Sequence, residues 1–206
     1  MLRNPRIDQI RLDGGILCLD FVNTVPDRVD GTNRDNLTSV SDLIYWAKKA
    51  GILQPAEMLN LEKAAQTSDK KARDFFSEAL SIRSLLYSIF QPISQGQKVK
   101  TGDIEVLNAF VASYRNFLEI TASKEGFTEK WNFARDNFLS VTAPIIKSAR
   151  ELLLSDKLKR VKECPNCGWL FLDTTKNGKR RWCSMEDCGS NVKALEYYYR
   201  KKKETQ

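Results

Sequence analysis

The chain has 206 residues, 33 basic against 26 acidic side chains, a formal charge of +7 and a hydrophobic fraction of 42%. That length suits one or two domains, and that apolar content supports packed cores and excludes wholesale disorder. There is no histidine, which removes Ser-His and Cys-His dyads, histidine acid–base chemistry and histidine-ligated metals.

Met1 to Asp13 is polar and broken by Pro5, unlike a secretory leader. No apolar run approaches the roughly 18 residues of a membrane helix, so a cytoplasmic chain without membrane contact is expected. Gly14-Gly15 precede an apolar run, Ile16 to Val22, that reads as a strand bounded by Asn23-Thr24 and Pro26. Cys18, inside that run, reads as a small buried hydrophobe because nothing nearby would activate it. A helix is expected from about Ser41 to Gly51 with Leu43, Trp46 and Ala50 inward, and Pro55 suits the first turn of the next. Ala72, Phe75, Ala79, Ile82, Leu86 and Ile89 are spaced as one stripe of a long helix ended by Pro92 and Gly96. Thr101 then caps a helix carrying Ile104, Leu107, Val111 and Tyr114 on one face. Tyr114 to Ile120 and Phe127 to Phe133 form a hairpin about Lys124-Glu125-Gly126, and Phe138 to Leu154 is helical, with Pro144 kinking or starting it.

Asp20 interrupts the first apolar run, and Arg83 lies beside the long helix's stripe. With Asn23 they form either a small-molecule pocket or a buried pair and turn cap. No phosphate-binding glycine loop and no catalytic constellation is present, so an enzyme is not expected.

Charge divides the chain sharply. Residues 1–156 carry 20 basic and 20 acidic side chains, and residues 157–206 carry 13 and 6, so the whole surplus lies in the last 50 residues. The division predicts a mostly helical domain over 1–156 and a separate basic module over 157–206, mainly α with small β elements overall. A basic module beside a neutral one suits a polyanion partner or a solubilising tail.

Four cysteines fall in the basic module as C-x2-C (Cys164, Cys167), fifteen residues, then C-x4-C (Cys183, Cys188). Two such pairs suit four thiolates around one structural zinc, with no position left open for water. Disulfides do not persist in a reducing cytoplasm, and a thioredoxin-like motif would need one pair on a βαβ unit. Four thiolates and one zinc add a net charge of about −2. Between the pairs, Trp169 to Leu172 reads as a strand, Asn177-Gly178 as a turn, and Arg180 to Cys183 as the return strand. Trp169, Phe171 and Trp182 are expected to cover the knuckle, since so small a unit has little other core. A helix capped by Ser190 or Asn191 follows, with Lys193, Tyr197 and Arg200 on one face. Lys176, Lys179, Arg180, Arg181, Lys193 and Arg200 are the candidate nucleic-acid contacts, the arginines being suited to bidentate bonds.

The opening C-x2-C, Trp169 to Asp173, Asn177, the run Arg180-Arg181-Trp182-Cys183-Ser184-Met185, Cys188-Gly189 and Lys193 together resemble a CGNR-type zinc finger over about 164–200. The name-giving Cys-Gly-Asn-Arg reads Cys188-Gly189-Ser190-Asn191 here, and Lys193 is the nearest remaining cation. Upstream, Gly14 to Thr24, Asp42-Leu43, Trp46-Ala47 and Ala50 to Leu53 resemble the ABATE domain, with Arg83 where that family's long-helix arginine is expected. The resemblance implies a bacterial, stress-related transcription regulator whose first domain is a sensor for a small-molecule effector and whose finger binds duplex DNA. Two rivals stand beside it: an RNA-binding protein using the same finger, and a small-molecule-binding first domain with a purely structural finger. A homodimer would suit a palindromic site, although no heptad seam marks one.

Overall fold

The computed structural model describes residues 4–29, 31, 34–124 and 126–204. A short α1 (Pro5–Asp8), capped by the Asn4 side chain on Ile7 N–H, leads to α2 (Leu17–Val22). Then follow α3 (Val40–Lys49), α4 (Pro55–Thr67), α5 (Asp69–Ser94) and α6 (Thr101–Tyr114). Ser39 caps α3, and a Gln54–Glu57 capping box opens α4 behind Pro55. The predicted stripe of α5 is buried from Ala72 to Ile89, which makes this helix the spine of the core. The helix runs past Pro92 to Ser94, and the Pro92 carbonyl accepts from Gln95 and Gln97 N–H where it ends. Thr101 begins α6 but does not cap it; Lys100 holds that place.

An antiparallel hairpin of β1 (Leu118–Ser123) and β2 (Gly126–Trp131) runs in register from Leu118 opposite Trp131 to Ser123 opposite Gly126. Helix α7 (Leu139–Leu153) contains Pro144 and packs on α2 and α6. No described helix is long and apolar enough to cross a membrane.

The Ile16–Val22 run is helix and not strand. Ile16 is extended, but Leu17 onward coils into α2, whose Cys18, Leu19, Phe21 and Val22 are fully buried. An apolar run buried on every side, here by α5, α7 and the finger, shows neither a two- nor a 3.6-residue period.

The finger begins after a 3-10 turn (Asp156–Arg160) with β3 (Val161–Glu163), paired antiparallel to β4 (Leu170–Leu172). Strand β4 therefore pairs with the segment before the cysteines and not with Arg180–Cys183, which forms no strand. The other edge of β4 meets the N-terminal domain. Asn23 Nδ2 donates to the Leu170 carbonyl at 2.8 Å, and Leu170 N–H donates to Asn23 Oδ1 at 3.0 Å. Leu172 N–H donates to the Gly14 carbonyl at 2.8 Å. One side-chain amide and one carbonyl thus stand in for a third strand. Gly14 can approach this closely only without a side chain, since a Cβ would lie 2.7 Å from the Asp20 nitrogen. Val161, Leu170 and Leu172 belong to the same hydrophobic core as α2, α3, α5 and α7.

The three residues read as pocket candidates are bonded within the protein. Asp20 Oδ1 accepts from Gly14 N–H at 2.8 Å, and Asn23 holds Leu170. Arg83 donates to Thr24 Oγ1 at 2.9 Å and forks onto Asp35, while Thr24 donates to the Phe21 carbonyl. Each acts as turn cap, strand clamp or buried pair, because the α2 terminus needs its polar groups satisfied where water is excluded. Arg83 and Asp35 hold the loop after α2 against the spine.

Burial pushes the Asp20 carboxyl up to about 6, with Gly14 N–H opposing and Asp13 adding to the rise. A carboxyl raised above its unfolded value contributes stability that is full below about pH 4 and is lost as pH climbs through about 6. We expect a fall of up to about 3 kcal/mol across that window in urea unfolding of the wild type. Asp20→Asn, which keeps the acceptor oxygen, should flatten it; an equally steep fall in the variant would assign the slope elsewhere.

Candidate metal centre and nucleic-acid interface

Cys164 follows β3 directly. Its N–H donates to the Trp169 carbonyl at 2.8 Å, and Gly168 N–H returns to the Cys164 carbonyl at 2.9 Å. Gly168 takes φ +71°, which closes this tight turn around Cys167. The second pair sits on a π-helical turn, Met185–Gly189, entered through Cys183 and capped by Ser184 Oγ on Asp187 N–H at 3.2 Å. That cap lies six residues before Ser190, where a cap was expected. Helix α8 (Ser190–Glu204) continues straight out of the π-turn, and Ser190 Oγ donates back to the Met185 carbonyl.

All four cysteines are buried, and their sulfurs lie within 4.8 Å of one another. Cys167–Cys183 and Cys183–Cys188 are each separated by 3.6 Å. A tetrahedron of zinc–sulfur bonds near 2.3 Å has edges of about 3.8 Å, so the donor set fits one zinc. The surrounding polar groups suit thiolates: backbone groups of Asn166 and Cys183 bond Cys164, that of Trp169 bonds Cys167, and Asn166 Nδ2 donates to Cys188 Sγ at 3.4 Å. Phe171 is buried against the four sulfurs, with Trp169 and Trp182 packed around them. Full coordination by protein makes the zinc structural, closing the long chain excursion between the two pairs.

That excursion is organised by one buried carboxylate. Asp173, fully inaccessible, accepts from Lys162 Nζ at 2.7 Å, Thr175 N–H at 3.0 Å, Thr175 Oγ1 at 2.6 Å and Arg180 N–H at 2.9 Å. Burial alone would raise its pKa; these donors hold it well below the usual carboxylate range. Lys162 Nζ also takes the Gly178 and Arg180 carbonyls, and Arg160 takes those of Asp173 and Thr175. A return strand is unnecessary because two cations and a carboxylate satisfy the turn's backbone. Asp173 stands in the motif that resembles the CGNR finger, but Lys162 and Arg160 carry no pattern in sequence that would mark them.

Arg180 belongs to this internal set. Its Nε donates to the Trp182 carbonyl at 3.0 Å, its terminal nitrogen to the Cys183 carbonyl, and its guanidinium lies 4.7 Å from the Phe171 ring centroid. It braces the knuckle through two of its five N–H donors and its contact with Phe171. The other five candidate cations are exposed. Arg181 and Lys193 converge on opposite sequence sides of the Trp182 indole, at 5.2 and 6.0 Å from a ring centroid. Lys179 and Arg181 line a cleft of about 720 Å³ with Val29, Ser94 and Gln95. Lys176 sits at the Asn177-Gly178 turn, and Arg200 lies over the Tyr197 ring at 5.5 Å.

The finger is also tied to the first domain beyond β4. Trp169 Nε1 donates to the Val25 carbonyl at 2.7 Å, and Arg28 N–H donates to the Cys167 carbonyl at 3.0 Å. Glu163 accepts from Tyr87, Gln91 and Gln95 along α5, and Arg11 pairs with Asp187 on the π-turn.

A helical domain that clasps a four-cysteine finger with a basic exposed face is the architecture of a zinc-finger protein. Residues 160–201 match the CGNR zinc finger, and residues 15–156 match ABATE, described as "Putative stress-induced transcription regulator". The chain belongs to the ABATE family and carries a CGNR zinc finger at its C-terminal side. A search of curated proteins gives no match.

One zinc per chain should be found by elemental analysis of purified protein. Cys183→Ser should lose it and unfold at a lower temperature, because metal-binding free energy is folding free energy here. Full thermal stability of a metal-free chain would remove the structural role.

Proposed function

We propose that this protein is a DNA-binding transcription regulator of the bacterial cytoplasm, in which the finger holds the duplex and the first domain has no catalytic role. The observation that carries the reading is the position of the charge. The entire formal surplus of +7 lies in residues 157–206, and Lys176, Lys179, Arg181, Lys193 and Arg200 stand exposed on the finger while three other cations of the segment are bonded inside it. Exposed cations on a zinc-braced frame supply phosphate contacts, and Arg181 is suited to a bidentate one. Reduced thiols in a metal site agree with a cytoplasmic setting. An effector, if the first domain senses one, would meet bonds already made by Asp20 Oδ1, the Asn23 amide and the Arg83 terminal nitrogens. A two-fold dimer is the usual way such regulators read palindromic sites.

A second reading, RNA binding, draws on the half-exposed tyrosines Tyr197, Tyr198 and Tyr199, which offer rings to unpaired bases. Competition between duplex DNA and single-stranded RNA separates the two.

Fluorescence anisotropy of duplex DNA against salt tests the proposal in the intact chain. Deleting the finger is the wrong control, because Val161, Leu170 and Leu172 would leave the main core open. Lys176→Ala and Lys179→Ala should each lower the log–log salt slope by about one with little dependence on sequence. Arg180→Ala should lower stability instead. Absence of duplex binding at low salt would overturn the reading.

A further inference from the structure

Among the described residues, helix α8 is the one long helix whose polar and apolar sides both face outward. Of residues 190–203, Val192 is half-buried and the rest are exposed, and the helix packs chiefly on the π-turn it grows from. Yet it carries Leu195, Tyr197, Tyr198 and Tyr199, each more than half exposed. A helix with such residues and so little packing beyond its root has little intrinsic reason to persist in water. Its root is fixed by the Ser190–Met185 bond and by Trp182, over which Lys193 lies.

On a helical wheel Tyr198, Leu195 and Tyr199 form one strip. Lys201 flanks it on one side and Lys203 on the other, Lys202 lies within it, and Lys193 and Arg200 run along the back. Of the acidic residues, Glu196 shares the Lys203 flank two turns earlier and Glu204 lies on the back. An apolar strip carrying Lys201, Lys202 and Lys203 on and beside it fits neither a second copy of itself, which would bring like charges together, nor a neutral protein groove.

We infer that α8 lies in the major groove of duplex DNA, with Leu195, Tyr198 and Tyr199 against base edges and the flanking lysines on the two phosphate walls; this rests on the DNA-binding reading above. The dimensions agree. Fifteen residues make a rod of about 22 Å, and a helix with side chains is roughly 10–12 Å across, against a groove of about 12 Å. The groove floor presents thymine methyl groups that apolar side chains contact well. The knuckle, with Lys176, Lys179 and Arg181, would then rest on the backbone beside the groove and fix the helix's register. Phosphate contacts from the knuckle give affinity, and α8 supplies the sequence preference.

The test uses the full zinc-loaded chain and a duplex in which 5-bromouracil replaces thymine, placing a photoreactive atom on the major-groove edge. Irradiation followed by peptide mass spectrometry should map adducts to Tyr198 or Tyr199. The Tyr198→Ala/Tyr199→Ala variant, altered only on an exposed surface, should bind duplex about tenfold more weakly with its salt slope unchanged, since no charge is removed. Salt-sensitive binding with no adduct in 190–204, and full affinity in the variant, would overturn the inference while leaving DNA binding intact. No duplex binding at all would overturn both. Equal affinity for phosphatidylserine-containing vesicles, with α8 tyrosines quenched by bilayer probes and no adduct, would assign the helix to a membrane surface instead.

Discussion

The Asn23 side chain does what a third β-strand would otherwise do. Strand β4 is three residues long and has one partner, β3; its other edge would present bare donors and acceptors inside the protein, where each unpaired group costs free energy. Asn23 takes both groups of Leu170, and Gly14 takes Leu172 N–H. Asn23 can do this because it terminates α2, and α2 is held by burial between α5 and α7. Gly14 can because Asp20 turns its backbone and no Cβ intervenes. The run from Gly14 to Thr24 is therefore a socket for the finger. The finger needs one: a unit of about 40 residues has too little core of its own, and it borrows the N-terminal one through Val161, Leu170 and Leu172.

Inside the finger, charges serve two separate ends. Arg160, Lys162 and Arg180 point inward around Asp173 and the turn carbonyls, replacing a backbone ladder with side-chain bonds. Lys176, Lys179, Arg181 and Lys193 face solvent on that same frame. The zinc fixes the two ends of the excursion and Asp173 fixes its middle, so the exposed cations hold defined positions. Pre-set cations lose less side-chain freedom on meeting phosphates than cations on a flexible tail.

Much of this was legible in the sequence where a local rule is strong. The α5 stripe has a 3.6-residue period over five turns, Pro55 marks a helix start, and paired cysteines announce a metal. Legibility failed where a segment's partners are distant in sequence. Cys18 to Val22 are buried, which hides the run's period and made helix read as strand. The return strand at Arg180–Cys183 gave way to bonds from Lys162, eighteen residues earlier. Arg180 reads as a nucleic-acid contact from its charge, and charge alone does not show that it also braces the Trp182 and Cys183 carbonyls. Asp20, Asn23 and Arg83 stood out correctly as buried polar residues, but their partners include Leu170 and Asp35, which no spacing rule connects to them.

If Asn23 fastens the finger to the first domain, the two open and close as one cooperative unit. Native-state hydrogen exchange on the zinc-loaded chain measures this directly, amide by amide. The account predicts that the Leu170 and Leu172 amides share one opening free energy with those of α2, and that Asn23→Ala lowers all of them together. Finger amides that exchange through a separate, lower-energy opening, with α2 unaffected by Asn23→Ala, would contradict it.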